Sequence, residues 1–108
     1  MKINIAFASS DGKVVNQHFG KAKAFHIVEV DDEEKSYKYI ESRVNNPCCK
    51  EFEHSDDDLQ KSISLIKDCS IVFIAKIGRG AYAKLQENNI KAIEAPYFIE
   101  DILKELLE

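Results

Sequence analysis

No apolar run in the chain approaches the roughly 18 residues that a membrane helix needs. There is no basic excess either. Nineteen acidic residues against fifteen basic ones leave a net charge of -4 and a pI near 5.4, the wrong balance for a nucleic-acid binder. Cysteine is too scarce for a disulfide framework, because Cys48, Cys49 and Cys69 cannot all pair within one chain. Adjacent Cys48 and Cys49 make poor partners: bridged α-carbons sit about 4.4–6.8 Å apart, whereas neighbours stand about 3.8 Å apart. Such thiols suit a reducing compartment, where they stay free as ligands, as reactive groups or as inert core. The opening Met1–Phe7 is too short and interrupted to read as a signal peptide. These absences lead us to expect a cytoplasmic protein with neither membrane nor nucleic acid as partner.

Several chemical signatures are missing as well. There is no GxGxxG and no phosphate loop ending in GKS or GKT, so no nucleotide is expected. No GxSxG elbow is present, and no CxxC pair of the kind that builds a structural zinc site. What remains is ordinary globular composition, 44% hydrophobic and 31% charged. A chain of 108 residues buries roughly two-thirds of its unfolded surface. Without repeats, low-complexity tracts or a linker, residues 1–108 read as one domain.

Residues 2–8 carry apolar Ile3, Ile5 and Phe7 in alternation, with small Ala6 and Ala8 between them, the pattern of a largely buried strand. Ser9-Ser10-Asp11-Gly12 is turn chemistry, with Gly12 free to take a positive φ. Asn16–Gly20 reads as an irregular polar loop and residues 24–30 as a second strand. The acidic run Asp31–Glu34 marks a solvated hairpin turn before a third strand at 37–44, in which Tyr37 and Tyr39 alternate against Lys38 and Ile40.

Residues 45–54 have no periodicity. Ser55 followed by Asp56–Asp58 then fits a helix cap, with Leu59, Ile63 and Ile66 at helical spacing. Ile71–Ala75 is a continuous apolar run, the mark of a strand covered on both faces. Gly78-Arg79-Gly80 breaks it and opens a helix ending near Asn88-Asn89. A short strand follows at 90–95. Ile99, Ile102, Leu103, Leu106 and Leu107 then make an amphipathic helix. Strand–helix alternation in the second half requires parallel pairing, and the hairpin requires an antiparallel edge. The expectation is a mixed α/β sheet with helices packed on it.

Six residues are candidates for a soft or borderline metal. His18 projects from a loop, where neutral imidazole is a ligand near pH 7; the alternative is an ordinary surface histidine. Cys48 and Cys49 follow Pro47, and His54 comes five residues later, so two thiolates and an imidazole share one short stretch; the alternative is a pair of exposed thiols. Cys69, before the buried run, reads as an inert core thiol, and His26 as a packing or edge residue of its strand. The Gly78-Arg79-Gly80 turn offers free amides and a charge to an anion; the alternative is a tight turn that packs the helix closely on its strand. Both acidic runs fall on a turn and a helix start, not on the first strand where two-metal phosphoryl chemistry would need them. They read as solvated faces, and no catalytic set is visible.

Met1–Gly12, the block Val15-Asn16-Gln17-His18-Phe19-Gly20, the stretch Asp68–Ala81 and the segment Asn89–Ile93 together resemble the dinitrogenase iron–molybdenum cofactor biosynthesis family, that of NifX, the NafY core and the NifB C-terminal domain. The resemblance runs nearly end to end. It implies a ribonuclease H-like α/β fold, in keeping with a mixed five-stranded sheet that has an antiparallel N-terminal hairpin. It also implies a non-catalytic carrier for the iron–molybdenum cofactor or its iron–sulfur precursor, with cluster-donating and cluster-receiving proteins as partners. The histidine of the QHFG block is the family's cluster-binding candidate, here His18. Cys48, Cys49 and His54 fall where the family varies, so they rest on their chemistry alone. Such a cargo is anionic, and Lys13, Lys21, Lys23, Lys76 and Arg79 would offset it if the fold gathers them around His18. The competing reading is a thiol-based redox or metal-sensing module built on Cys48 and Cys49.

Overall fold

The computed structural model describes residues 2–44 and 56–107. Its order is β1 (Lys2–Ala8), a 3-10 turn at Phe19–Lys21, β2 (Ala24–Asp31), β3 (Ser36–Val44), α1 (Asp56–Leu65), β4 (Ile71–Ile74), α2 (Arg79–Glu87), β5 (Lys91–Glu94) and α3 (Ile99–Leu106). The five strands form one mixed sheet in the order β3-β2-β1-β4-β5. β1 runs antiparallel to β2 and parallel to β4, and β4 runs parallel to β5. Among the described residues no helix is long and apolar enough to cross a membrane.

The period-two pattern of β1 divides its side chains between two cores. Ala6 and Ala8 join Phe25, Ile27, Val72 and Ile74 beneath α1 and α2, which contribute Ile63 and Leu85. Ile5 and Phe7 point the other way, with Val28, Val30 and Phe73, under Ile99, Ile102 and Leu103 of α3. Phe7 stacks on Phe73 with ring centroids 5.2 Å apart. β4 likewise supplies both cores, as its unbroken apolar run requires. Of the apolar face of the last helix, Leu106 remains exposed.

The hairpin turn forms as its acids suggest: Asp31 Oδ1 accepts the amides of Glu33 and Glu34 at 3.0 and 3.3 Å, and Lys35 takes a left-handed φ of 52°. β3 departs from the strict alternation expected of it. Val28 pairs with Tyr39 and Ile27 with Glu41, leaving Ile40 as the extra residue of a bulge. The proposed cap at Ser55 lies outside the described residues.

Arg43 ties this outer strand to the end of α1. Its Nη1 donates to the Leu65 carbonyl and to Asp68 Oδ1, both at 2.6 Å, and its Nη2 donates to Asp68 Oδ2 at 2.9 Å. The guanidinium holds the Asp68 carboxyl down at about 2. Next to it Cys69 is buried, and burial, helped by the Asp68 charge, pushes its thiol up to about 12.

Because the Asp68 pKa is depressed in the folded state, its stabilisation is present above the unfolded value near 4 and is lost as pH falls toward 2. The carboxylate is half exposed, so solvent screens the pair, and Asp68→Asn should cost about 1 kcal/mol or less at pH 7. That cost should fade between pH 4 and pH 2 in urea titrations; a pH-independent difference would refute the ion-pair origin. A thiol as masked as Cys69 should also be unreactive. In a Cys48→Ser/Cys49→Ser background, a thiol-specific chromogenic disulfide at pH 8 should find no reactive group until guanidinium is added.

Candidate functional site

The sheet changes character at β1. From there the chain proceeds outward to β2 and β3 on one side, and returns to β4 and β5 on the other. Connections leaving adjacent strands in opposite directions open a crevice at the strands' carboxyl ends, the usual ligand position in open α/β sheets. Here those connections are residues 9–23, after β1, and 75–78, after β4.

The first connection begins with a self-contained turn. The buried Ser9 hydroxyl accepts the amides of Gly12 and Asp11 at 2.9 and 3.3 Å and donates to Asp11 Oδ1 at 3.0 Å. Asp11 in turn accepts the amides of Lys13 and Val14, which hold its carboxyl below the usual range. Gly12 sits at φ +75°, and a Cβ there would lie 3.3 Å from the His26 ring.

The chain then crosses the sheet end, fixed by backbone bonds to three neighbours. Val15 N donates to the Tyr97 carbonyl at 3.0 Å; Asn16 N and Gln17 N donate to Ala8 O at 3.2 and 3.3 Å; Ala75 N donates to Gln17 O at 3.0 Å; Phe19 N donates to Lys76 O at 3.1 Å. Val15 and Phe19 are buried, and Phe19 packs on Phe25. Gln17 closes the loop by accepting the Lys23 amide on Oε1 at 3.0 Å, a role with no signal in the sequence beyond its place in the QHFG block.

His18 stands between these anchors in extended conformation, φ -75° and ψ 145°, bridged through its backbone to Lys76. Its side chain is exposed. Among the described residues nothing hydrogen-bonds its ring. The backbone of His18 is thus held on both sides, while its ring stands open to solvent.

Lys76 leads into the Gly78-Arg79-Gly80 turn. Glu94 Oε2 accepts the Ile77 amide at 3.1 Å, and Gly78 caps α2 with no side chain supplying an acceptor or donor there. The first-turn amides of a helix have no partner within the helix, and among the described residues no side chain caps those of α2. A Cβ on Gly78 or Gly80 would meet nothing within 4 Å. Close packing of helix on strand therefore does not explain either glycine, and that sequence alternative is corrected. Lys13, Lys21, Lys23, Lys76 and Arg79 are all exposed on segments at this end of the sheet. None of them makes an ion pair among the described residues. The nearby acids are engaged by amides, Asp11 within its turn and Glu94 at Ile77.

Cys48, Cys49 and His54 lie outside the described residues. β3 ends at Val44 opposite Ala24, which places its exit at the same end of the sheet as His18. Among the described residues no group of three or more His, Cys, Asp or Glu side chains is arranged to hold a metal. His26 is the packing residue it was expected to be, with Nε2 3.2 Å from the Ser9 carbonyl and Nδ1 3.4 Å from the Tyr39 hydroxyl.

Known proteins resemble this chain in sequence and in fold. The crystal structure of PH0822 superposes with a TM-score of 0.71 at 21% identity, covering 99% of this chain and 90% of that one. That of mj0327 from Methanocaldococcus jannaschii gives 0.60 at 17% identity, covering 99% and 89%. In sequence, NifX of Herbaspirillum seropedicae is 30% identical over 108 residues, 98% of this chain and 72% of its own. NifY of Klebsiella pneumoniae is 32% identical over 90 residues, 83% of this chain. The FeMo cofactor biosynthesis protein NifB of Frankia alni is 30% identical over 105 residues, 94% of this chain. The chain spans only 37% of that NifY and 20% of that NifB. The model of the family described as dinitrogenase iron-molybdenum cofactor matches residues 1–108, and the chain belongs to that family.

Proposed function

We propose that this protein is a non-catalytic, cytoplasmic carrier that holds the iron–molybdenum cofactor, or its iron–sulfur precursor, between a donating and a receiving protein. The observation that carries the reading is His18: an exposed imidazole with no hydrogen-bond partner among the described residues, on a backbone fixed at the β1/β4 switch point. Residues 1–108 act as a single domain in this reading. The FeMo cofactor role that the NifB relatives carry in their name supports the choice of cargo.

Each part of the site then contributes a distinct interaction. Neutral imidazole ligates an iron or molybdenum of the cluster, and such a bond is exchangeable, as handing the cargo on requires. The uncapped amides of α2 at Gly78, Arg79 and Gly80 donate toward cluster sulfides or carboxylates, favoured by the helix dipole. The open space around both glycines leaves room for a bulky group. The five cations offset the cargo's negative charge although the chain as a whole is acidic. Cys48, Cys49 and His54 follow a strand that ends at the same sheet end, and a thiolate from that segment is the second ligand we assign.

Anaerobic titration with isolated iron–molybdenum cofactor, and separate reconstitution with iron and sulfide, test the proposal by visible absorption and electron paramagnetic resonance. Wild type should bind one cluster per chain. His18→Ala should weaken binding on the order of tenfold or more. Arg79→Ala should weaken it less, and raised salt should shrink that smaller effect. Full affinity in His18→Ala would sink the carrier site. A redox or metal response lost in Cys48→Ser/Cys49→Ser but intact in His18→Ala would establish the thiol module instead.

A further inference from the structure

Among the described residues the outer strand of the sheet, β3, pairs with β2 on one side only. Eight of its nine residues are exposed, among them Tyr37 at 48%, Tyr39 at 54%, Ile40 at 41% and Val44 at 72%. A long edge strand with this much apolar surface is a template for another strand. Natural edges are commonly blunted by a bulge, and β3 has one at Ile40. Here the bulge makes one particular pairing possible.

Orientation along a strand alternates with period two. Two copies of a regular strand related by a two-fold axis can therefore pair only residues an even number of positions apart. Lys38 and Glu41 are three apart, so in a regular strand they would point to opposite faces. With Ile40 inserted they lie opposite Glu29 and Ile27, which are two apart on β2, and so they share a face. The same holds for Tyr37 and Ser42, opposite Val30 and His26, and for Ser36 and Arg43, opposite Asp31 and Phe25. The bulged strand is symmetric about the step from Tyr39 to Ile40.

We propose that β3 pairs antiparallel with β3 of a second copy of this chain about that step. Lys38 then faces Glu41 of the second copy, and the symmetry repeats the pair. Opposite charges directly across a ladder stabilise it, and like charges there oppose it. Glu41 accepts from Arg43 Nη2 at 3.2 Å, but Arg43 also holds both Asp68 oxygens, and the half-exposed Glu41 carboxylate has a second oxygen to offer Lys38 of the second copy. Tyr39 and Ile40 meet their counterparts at the axis and cover the apolar surface that leaves β3 conspicuous. Such an interface is isologous and closes at two copies. It joins two five-stranded sheets into one and turns the two His18 ends in opposite directions, so neither site obstructs the other.

Sedimentation equilibrium of the full chain from micromolar to millimolar concentration tests this, with circular dichroism to confirm folding of each variant. Wild type should dimerise with concentration. Lys38→Glu and Glu41→Lys each set like charges opposite one another, and each should weaken the dimer on the order of tenfold. Mixing these two variants should restore dimers, because each copy then supplies the charge that the other needs; the doubly swapped chain, Lys38→Glu/Glu41→Lys, should dimerise alone. A wild type that stays monomeric throughout would overturn the proposal. So would a dimer indifferent to the single changes, or a mixture that fails to associate.

Discussion

β1 lies between a strand that runs against it and a strand that runs with it, and that placement constrains everything around it. A strand paired on both edges and covered on both faces leaves no backbone group for water. The connections at its carboxyl end must therefore satisfy their own amides and carbonyls where they pass over it. They do so by bonding to one another. The segment after β1 takes Ala8 O, Ala75 N and Lys76 O as partners, so the two connections diverging from the switch point become one stitched surface. Buried Val15 and Phe19 hold it down from beneath.

Function follows from what that stitching leaves over. With the backbone of Gln17, His18 and Phe19 committed to neighbours, the His18 ring points outward without a partner among the described residues. In a protein of net charge -4, five exposed cations stand on segments at this end beside Asp11 and Glu94, whose carboxylates stay charged while accepting amides. In the proposed reading, an anionic cargo held by the His18 imidazole and a thiolate needs that imbalance. In the same reading the cargo responds mainly to the charges within about 8 Å at physiological salt.

The architecture was largely legible in the sequence because its strongest signals are local. The alternation of Ile3, Ile5 and Phe7 against Ala6 and Ala8, the unbroken run from Ile71, and the 3-4-7-8 spacing from Ile99 each correspond to an observed element. Positive φ at Gly12 was readable from turn chemistry. The bulge at Ile40 was not readable, since it arises from pairing with β2 and not from any residue of β3. Arg43 gave no sign of its role either: its partners Leu65 and Asp68 lie 22 and 25 residues away. At the site, residue type and motif pointed to His18 and to Gly78-Arg79-Gly80. What holds His18 in place is chiefly a set of backbone bonds, and a backbone bond carries no residue signature. The packing alternative for the glycines fails because a GxG at a helix start has the same spelling whether it permits close approach or leaves open space.

The most direct measurement of the carrier site is pulsed electron paramagnetic resonance of the cofactor bound to His26→Gln/His54→Gln protein. Of the three histidines in the chain, His18 is then the only one left. Labelling its imidazole with nitrogen-15 should produce a hyperfine coupling from one nitrogen, replacing the nitrogen-14 signal of unlabelled protein. A bound cofactor whose spectrum is indifferent to the isotope would mean that His18 is not its ligand.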